Sequence, residues 1–215
     1  MGLPESAELF YGLNLTDEQR IYVDSIFDNQ LTIVNAGAGS GKTTLAIGAA
    51  KILGKPLVYT FSPVEEQKLG ATPGSLEEKE SKYLTPLYDA LSEIGEDPRF
   101  SIYREENPEL INRQTWITAK SHVFMRGSNI KDSTLVIDEA ANFTRGDLKK
   151  VLTRVHSSTK VIMIGHDKQC DLPNPAKSGF VPYLEHFRNE PYAKVVGLTH
   201  NFRGELATKA DLLEW

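Results

Sequence analysis

Residues 31–53, "LTIVNAGAGSGKTTLAIGAAKIL", constrain this chain more than any other stretch. An apolar, β-rich run ends in a loop with glycines at 37, 39 and 41, and the loop opens a helix. Glycine lets a backbone curl and aim successive N–H groups at one point. The first turn of a helix leaves its N–H groups unpaired and adds partial positive charge, so this arrangement holds anions. The pattern Ala36-x-x-x-x-Gly41-Lys42-Thr43 supplies a lysine that can reach β- and γ-phosphates and a hydroxyl that can hold Mg2+. The expected nucleotide-binding residues are Ala36, Gly37, Ala38, Gly39, Ser40, Gly41, Lys42, Thr43 and Thr44. Ala36 stands where the motif usually begins with glycine, a change that leaves the cradle intact.

Further short apolar runs follow: "PLVYT" (56–60), "TWITA" (115–119), "TLVID" (134–138), "KVIMIG" (160–165) and "KVVGL" (194–198). They are nearly continuous rather than alternating, as strands buried on both faces are, which predicts a mostly parallel sheet sandwiched by helices. "GKTTLAIGAAKIL" reads as a helix closed by Gly54, and "RGDLKKVLTRV" as another. "DEQRIYVDSIF" follows Thr16 with Gln19 three residues on, the form of a capping box. The stretch 62–113 is too long for an ordinary connection and carries Pro and Gly punctuation with two short helical segments. It reads as an acidic helical insertion at the sheet's edge, inside a single α/β domain spanning residues 1–215.

Charge excludes little. The net charge of −5 gives no support to a duplex-DNA partner, which a basic surplus would. The insertion holds 12 acidic and 6 basic side chains, so it accounts for the excess and the remainder is near +1. No apolar run approaches a membrane span and no signal peptide opens the chain, so no membrane partner and a cytoplasmic location are expected. Met1-Gly2…Ser6 fits a myristoylation pattern, but Pro4 and the lack of a following basic patch weigh against it. The single Cys170 permits no internal disulfide and is expected to pack behind the phosphate loop. His122, His156 and His186 lack ligand spacing. Lys149, Lys150 and Arg154 read as a solvated helix face.

"TLVIDEAAN" completes the phosphate chemistry. Asp138, at a strand's carboxyl end, is placed for the water shell of Mg2+, and Glu139 can polarise the attacking water. Small P-loop kinases and GTPases typically lack that second acid, and no Asn-Lys-x-Asp guanine motif occurs. After the next strand, "GHDKQCDLP" offers Gln169, an amide able to hydrogen-bond both phosphate and water. Gln19 has two readings: a capping residue for Thr16, or an amide that reads the adenine edge.

Taken together, these motifs resemble the PhoH-like family, P-loop ATPases related to the first domain of superfamily 1 helicases. "VIDEAAN" is similar to the family's Asp-Glu-Ala-Gln-Asn, and "GHDKQCDLP" to its Gly-Asp-x-x-Gln-x-Asp-Leu-Pro. "KLGATPGSLEEKESKYLTPLYDAL" (68–91) resembles its Leu-Gly-x-x-Pro-Gly…Pro-Leu-Tyr-Asp-Ala-Leu stretch, "FMRG" (124–127) its Tyr-Met-Arg-Gly, and "KSGF" its Ser-Gly-Leu. The resemblance spans about Leu15 to Arg203 and is that of the short stand-alone versions in bacteria and phages, with no second RecA domain. It implies a RecA-like sheet, ATP hydrolysis to ADP with Mg2+, a homo-oligomeric ring with a hexamer as the candidate size, and a role on single-stranded nucleic acid, RNA ahead of DNA. The sequence departs from the family at Ala141, where a Gln is usual, at Phe61 and Thr85, where arginines are usual, at Ser62, where a Pro is usual, and at His166, where an Asp is usual. Coupling lost at Ala141 would then run through Asn142. These departures keep open a second function class, an ATP-dependent assembly or scaffold protein without strand translocation.

"LTHNFRG" (198–204) sets Arg203 after the last expected strand, near where the family and its helicase relatives carry an arginine. A guanidinium beside a transferring phosphoryl group speeds its transfer. The expectation is an arginine finger that serves the neighbouring subunit's site in a ring.

Overall fold

In the computed structural model the described residues are 2–4, 10–63, 82–104, 114–125 and 129–211. The Leu-Gly-x-x-Pro-Gly part of the resemblance and Arg126-Gly127 of "FMRG" lie outside them. In chain order the elements are α1 (Asp17–Asp28), β1 (Leu31–Ala36), α2 (Lys42–Leu53), β2 (Leu57–Phe61), α3 (Thr85–Glu93), α4 (Pro98–Ser101), β3 (Ile117–Ser121), β4 (Thr134–Ile137), α5 (Arg145–Leu152), β5 (Lys160–Gly165), α6 (Phe180–Phe187), β6 (Ala193–Leu198) and α7 (Glu205–Asp211).

The six strands form one sheet in the order β3-β2-β4-β5-β1-β6, and every pairing is parallel. All six carboxyl ends therefore share one edge, the edge where open α/β sheets bind ligands. The continuous apolar runs are explained by two layers of core. Val34, Tyr59, Val136, Ile162 and Ile164 face Tyr22 and Ile26 of α1 and Leu45 and Ala49 of α2. Ile33, Leu135, Ile137 and Met163 face Phe143, Leu148 of α5, and Phe180 and Leu184 of α6. Successive residues of one strand feed opposite layers, so no polar face is left to produce alternation.

Helix ends follow the sequence signals. Thr16 caps α1 in a full capping box with Gln19. Gly54 closes α2 in the left-handed region, at φ 68°. The insertion adds to the existing core: Leu87, Ala90 and Leu91 of α3 are buried in the layer that holds α2. Two elements shift by more than one residue. β3 starts at Ile117, not at 115, because the Trp116 amide donates to Ser101 O at 3.0 Å, before the strand begins. α5 stops at Leu152 because Val155 leaves the helix to bridge Ile130.

Candidate nucleotide and metal site

The loop between β1 and α2 is built as the glycines require. Gly39 and Gly41 take φ 76° and 79°, conformations that other residues rarely adopt. Ser40 Oγ and Lys42 Nζ both donate to Gly37 O, at 3.0 and 3.2 Å, so the ammonium folds over the loop it follows. Gln19 donates from Nε2 to Ser40 O at 3.0 Å and accepts the Thr16 amide at Oε1. The capping reading of Gln19 is thus realised, and the same amide ties α1 to the phosphate loop.

β4 delivers Asp138 to the loop. Its amide donates to Thr60 O at 2.9 Å, which carries the β2–β4 ladder one residue past the strand's end. The carboxylate is buried and richly bonded: Oδ1 accepts the Glu139 amide at 2.9 Å, and Oδ2 accepts Tyr59 OH at 2.5 Å and Thr43 Oγ1 at 3.4 Å. Burial pushes the Asp138 carboxyl above its ordinary value, while the Tyr59 phenol, the Glu139 amide and Lys42 work against that rise. A hydroxyl and a carboxylate brought together from α2 and β4 are hard oxygen donors of the kind magnesium takes, with waters and phosphate oxygens completing its shell. Thr43 and Asp138 therefore fit Mg2+.

Glu139 follows in the left-handed region at φ 49°, a strained conformation for a non-glycine residue. Glu139 is exposed, whereas Asp138 before it is buried. Surrounding atoms and the charges of Asp138 and Asp171 raise its carboxyl above the usual range, and Lys42 opposes them.

The loop after β5 is laced to this turn. Asn142 Nδ2 donates to Asp171 Oδ2 at 3.0 Å, and the Asp171 amide returns a bond to Asn142 Oδ1 at 2.7 Å. Asn142 thus ties the turn after β4 to the loop after β5. Cys170, expected behind the phosphate loop, donates its thiol to Ala141 O at 3.2 Å, and Ser178 Oγ donates to the same carbonyl at 2.8 Å. Asn35, near the end of β1, accepts the Asp167 amide at 3.0 Å. Gln169 sits half-buried in this loop, its amide donating to His166 O. Arg154 differs from the expected solvated face: its guanidinium donates to Met125 O at 3.1 Å.

Arg203 is placed against its own phosphate loop. A Cβ on Gly39 would come within 2.5 Å of Asn201 Oδ1 and 2.8 Å of Arg203 Cγ, and the Phe202 amide donates to Gly39 O at 2.8 Å. Its Cγ and Cδ lie on the loop glycine, while the residue as a whole stays exposed. Parallel pairing of β6 with β1 brings the end of β6 beside the end of β1, so residues 201–203 return to the loop of the same chain. Glu18 of α1 pins the turn, accepting the Thr199 amide and hydroxyl at 2.8 Å each.

A family model described as "PhoH: PhoH-like protein" matches residues 13–210. The chain belongs to the PhoH-like family. A PhoH-like protein of Synechocystis is 38% identical over 76% of this chain and 49% of its own length. That of Bacillus subtilis is 36% identical over 75% of this chain and 50% of its own. Protein PhoH of Escherichia coli is 29% identical over 84% of this chain and 51% of its own. The chain thus spans about half the length of these relatives. Among solved structures, an Arterivirus nonstructural protein 10 helicase with DNA aligns at 17% identity and TM-score 0.46 over 81% of this chain and 36% of that one. Bacteroides Pif1 with ADP-AlF4 aligns at 16% and 0.44 over 90% and 44%. The fold of this PhoH-like chain is α/β, a parallel sheet between helices, with its phosphate loop after β1 and its acidic pair after β4. Among the described residues no helix is long and apolar enough to cross a membrane.

Proposed function

We propose that this PhoH-like chain is a Mg2+-dependent ATP hydrolase that works as a homo-oligomeric ring on single-stranded nucleic acid, RNA in preference to DNA. The observation that carries the hydrolase reading is the meeting of Thr43 and Asp138, with Lys42 on the loop and Glu139 one residue on. When bound, Mg2+ neutralises phosphate charge and holds the phosphate oxygens in place. Lys42 and the loop amides grip the β- and γ-phosphates. Glu139 takes the proton from a water whose oxygen attacks the γ-phosphorus. The bond to the bridging oxygen breaks, and ADP and inorganic phosphate leave. Gln169 orients that water, and Arg203 acts on the nucleotide of its own chain, as its packing on Gly39 favours. The ring and the nucleic acid rest on the family resemblance.

Phosphate release with and without Mg2+ tests the chemistry. Glu139→Gln is expected to slow turnover by about a hundredfold or more, the usual worth of a general base; unaltered turnover contradicts the assignment. Light scattering with an ATP analogue reads the ring, and single-stranded RNA is expected to stimulate turnover.

Ala141 favours a second reading, an assembly protein switched by ATP without strand translocation. Its methyl group replaces an amide and its carbonyl is occupied by Cys170 and Ser178. Ring size that follows nucleotide, with turnover indifferent to RNA and single-stranded DNA, supports that reading.

A further inference from the structure

Asp138 is held by β2 twice over. Its amide bonds the carbonyl of Thr60, and its carboxylate Oδ2 accepts the hydroxyl of Tyr59 at 2.5 Å. Tyr59 pairs in register with Val136, two residues before Asp138, so both side chains lie on the same face of the sheet. The ring is buried in the layer beneath α2, and its hydroxyl reaches up to the sheet edge where the phosphate loop begins. Oδ2 has one other donor, Thr43, at the looser distance of 3.4 Å.

The two donors differ in what a cation does to them. The Thr43 hydroxyl lies on the phosphate loop's helix and is itself a metal ligand in the reading above. A cation on its oxygen would leave the O–H free to donate, but the direction of that O–H would then be tied to the cation as well as to Oδ2. Tyr59 is anchored in the core and cannot follow. It goes on fixing Oδ2, while the Glu139 amide fixes Oδ1. A buried phenol does need a partner. Yet β2 tolerates a buried hydroxyl without one, because Thr60 Oγ1 has none. A hydroxyl on this strand is therefore not obliged to find a carboxylate.

We propose that Tyr59 is a positioning residue for the metal site, holding the Asp138 carboxylate in the orientation that receives the hydrated cation of a nucleotide complex. The inference rests on the metal–nucleotide reading of Thr43 and Asp138. Nothing in the sequence motif marks it: Tyr59 stands 79 residues before Asp138 and belongs to a strand whose other residues are apolar or small.

The test is Tyr59→Phe, which keeps the ring and removes one oxygen. Mn2+ is the probe, titrated into the ADP complex and followed by its electron paramagnetic resonance signal. The Mn2+ dissociation constant is expected to rise by about tenfold, the scale of one hydrogen bond to a charged group. Affinity for ADP in EDTA should not change, and the Mg2+ midpoint for phosphate release should move with the Mn2+ constant. Thr60→Val removes the neighbouring hydroxyl as a control and should leave both midpoints in place. If Tyr59→Phe loses ADP binding in EDTA, Tyr59→Met, of similar bulk and also without a hydroxyl, is read in the same way. Nucleotide-dependent Mn2+ binding in the wild type with equal or tighter binding in the variant overturns the inference alone. No such binding in the wild type overturns the metal reading and the inference with it.

Discussion

Arg203 and Gly39 occupy one another's space: the arginine's Cγ and Cδ stand 2.8 and 3.0 Å from the point where a side chain on Gly39 would begin. The phosphate loop is thus closed on one side by the segment after the last strand. The glycine serves two ends, a left-handed backbone and a surface flat enough to be covered.

Gly39→Ala should fail on both counts. The left-handed backbone costs a non-glycine residue about 1–2 kcal/mol, and the new methyl meets Asn201 Oδ1 at 2.5 Å. The melting temperature should fall and ATP affinity should drop by about tenfold as residues 201–203 are displaced. A thermal melt and a fluorescent-nucleotide titration check both effects.

Mixing Arg203→Ala subunits with Glu139→Gln subunits should restore no activity. Each chain then lacks one part of its own site. Recovery in proven mixed assemblies would show that the arginine serves a neighbour after all.

Asn142→Ala removes both bonds to Asp171 and frees the loop that carries Gln169. Each of these bonds is worth about 0.5–1.5 kcal/mol, so with both gone the loop should loosen and kcat should fall by about tenfold. ATP binding in EDTA should stay as it was, because the phosphate loop is untouched. Loss of binding and turnover in equal measure would refute the division of labour.

Acid should silence the enzyme earlier than an ordinary carboxylate would. In the proposed hydrolysis Glu139 works only when unprotonated, and burial together with Asp138 and Asp171 raises its pKa against the pull of Lys42. The acid limb of kcat/KM should therefore lie above the usual glutamate range. Asp171→Asn removes one raising charge and keeps an oxygen for Asn142, so the limb should move to lower pH. The sign for stability is set by the same shift. The folded state binds this proton more readily than the unfolded one, so ionised Glu139 costs stability above its raised pKa, and the cost fades in acid. Glu139→Gln should therefore melt slightly higher at neutral pH.

The parts of the site that chemistry fixes locally were legible in the sequence. Gly39, Gly41, Lys42 and Thr43 must be near neighbours to cradle a phosphate, and Asp138 with Glu139 must end a buried strand. Residues that depend on strand order were not legible. Tyr59 reaches Asp138 only because β2 lies beside β4, and Asn35 reaches Asp167 only because β1 lies beside β5. Glu18 and Thr199 meet across 181 positions. The packing of Arg203 on Gly39 was hidden for the same reason: no local pattern says that β6 flanks β1. The 3.6-residue period overran α5 because Thr153 and Arg154 fit a helix, while the bridge from Val155 to Ile130 is a tertiary event.

Strand order also sets a timetable. β1 is the first strand made, yet both its neighbours, β5 and β6, come from the chain beyond residue 159. During synthesis its two edges stay without their native partners until most of the chain has emerged, and long-range parallel pairing of this kind is slow to form. The phosphate loop, translated early, becomes a binding site late. A nascent chain halted before β6 has the whole nucleotide motif in its sequence and β5 beside β1, but nothing yet to cover Gly39, so the loop reaches its final packing only when the last strand and residues 201–203 have emerged.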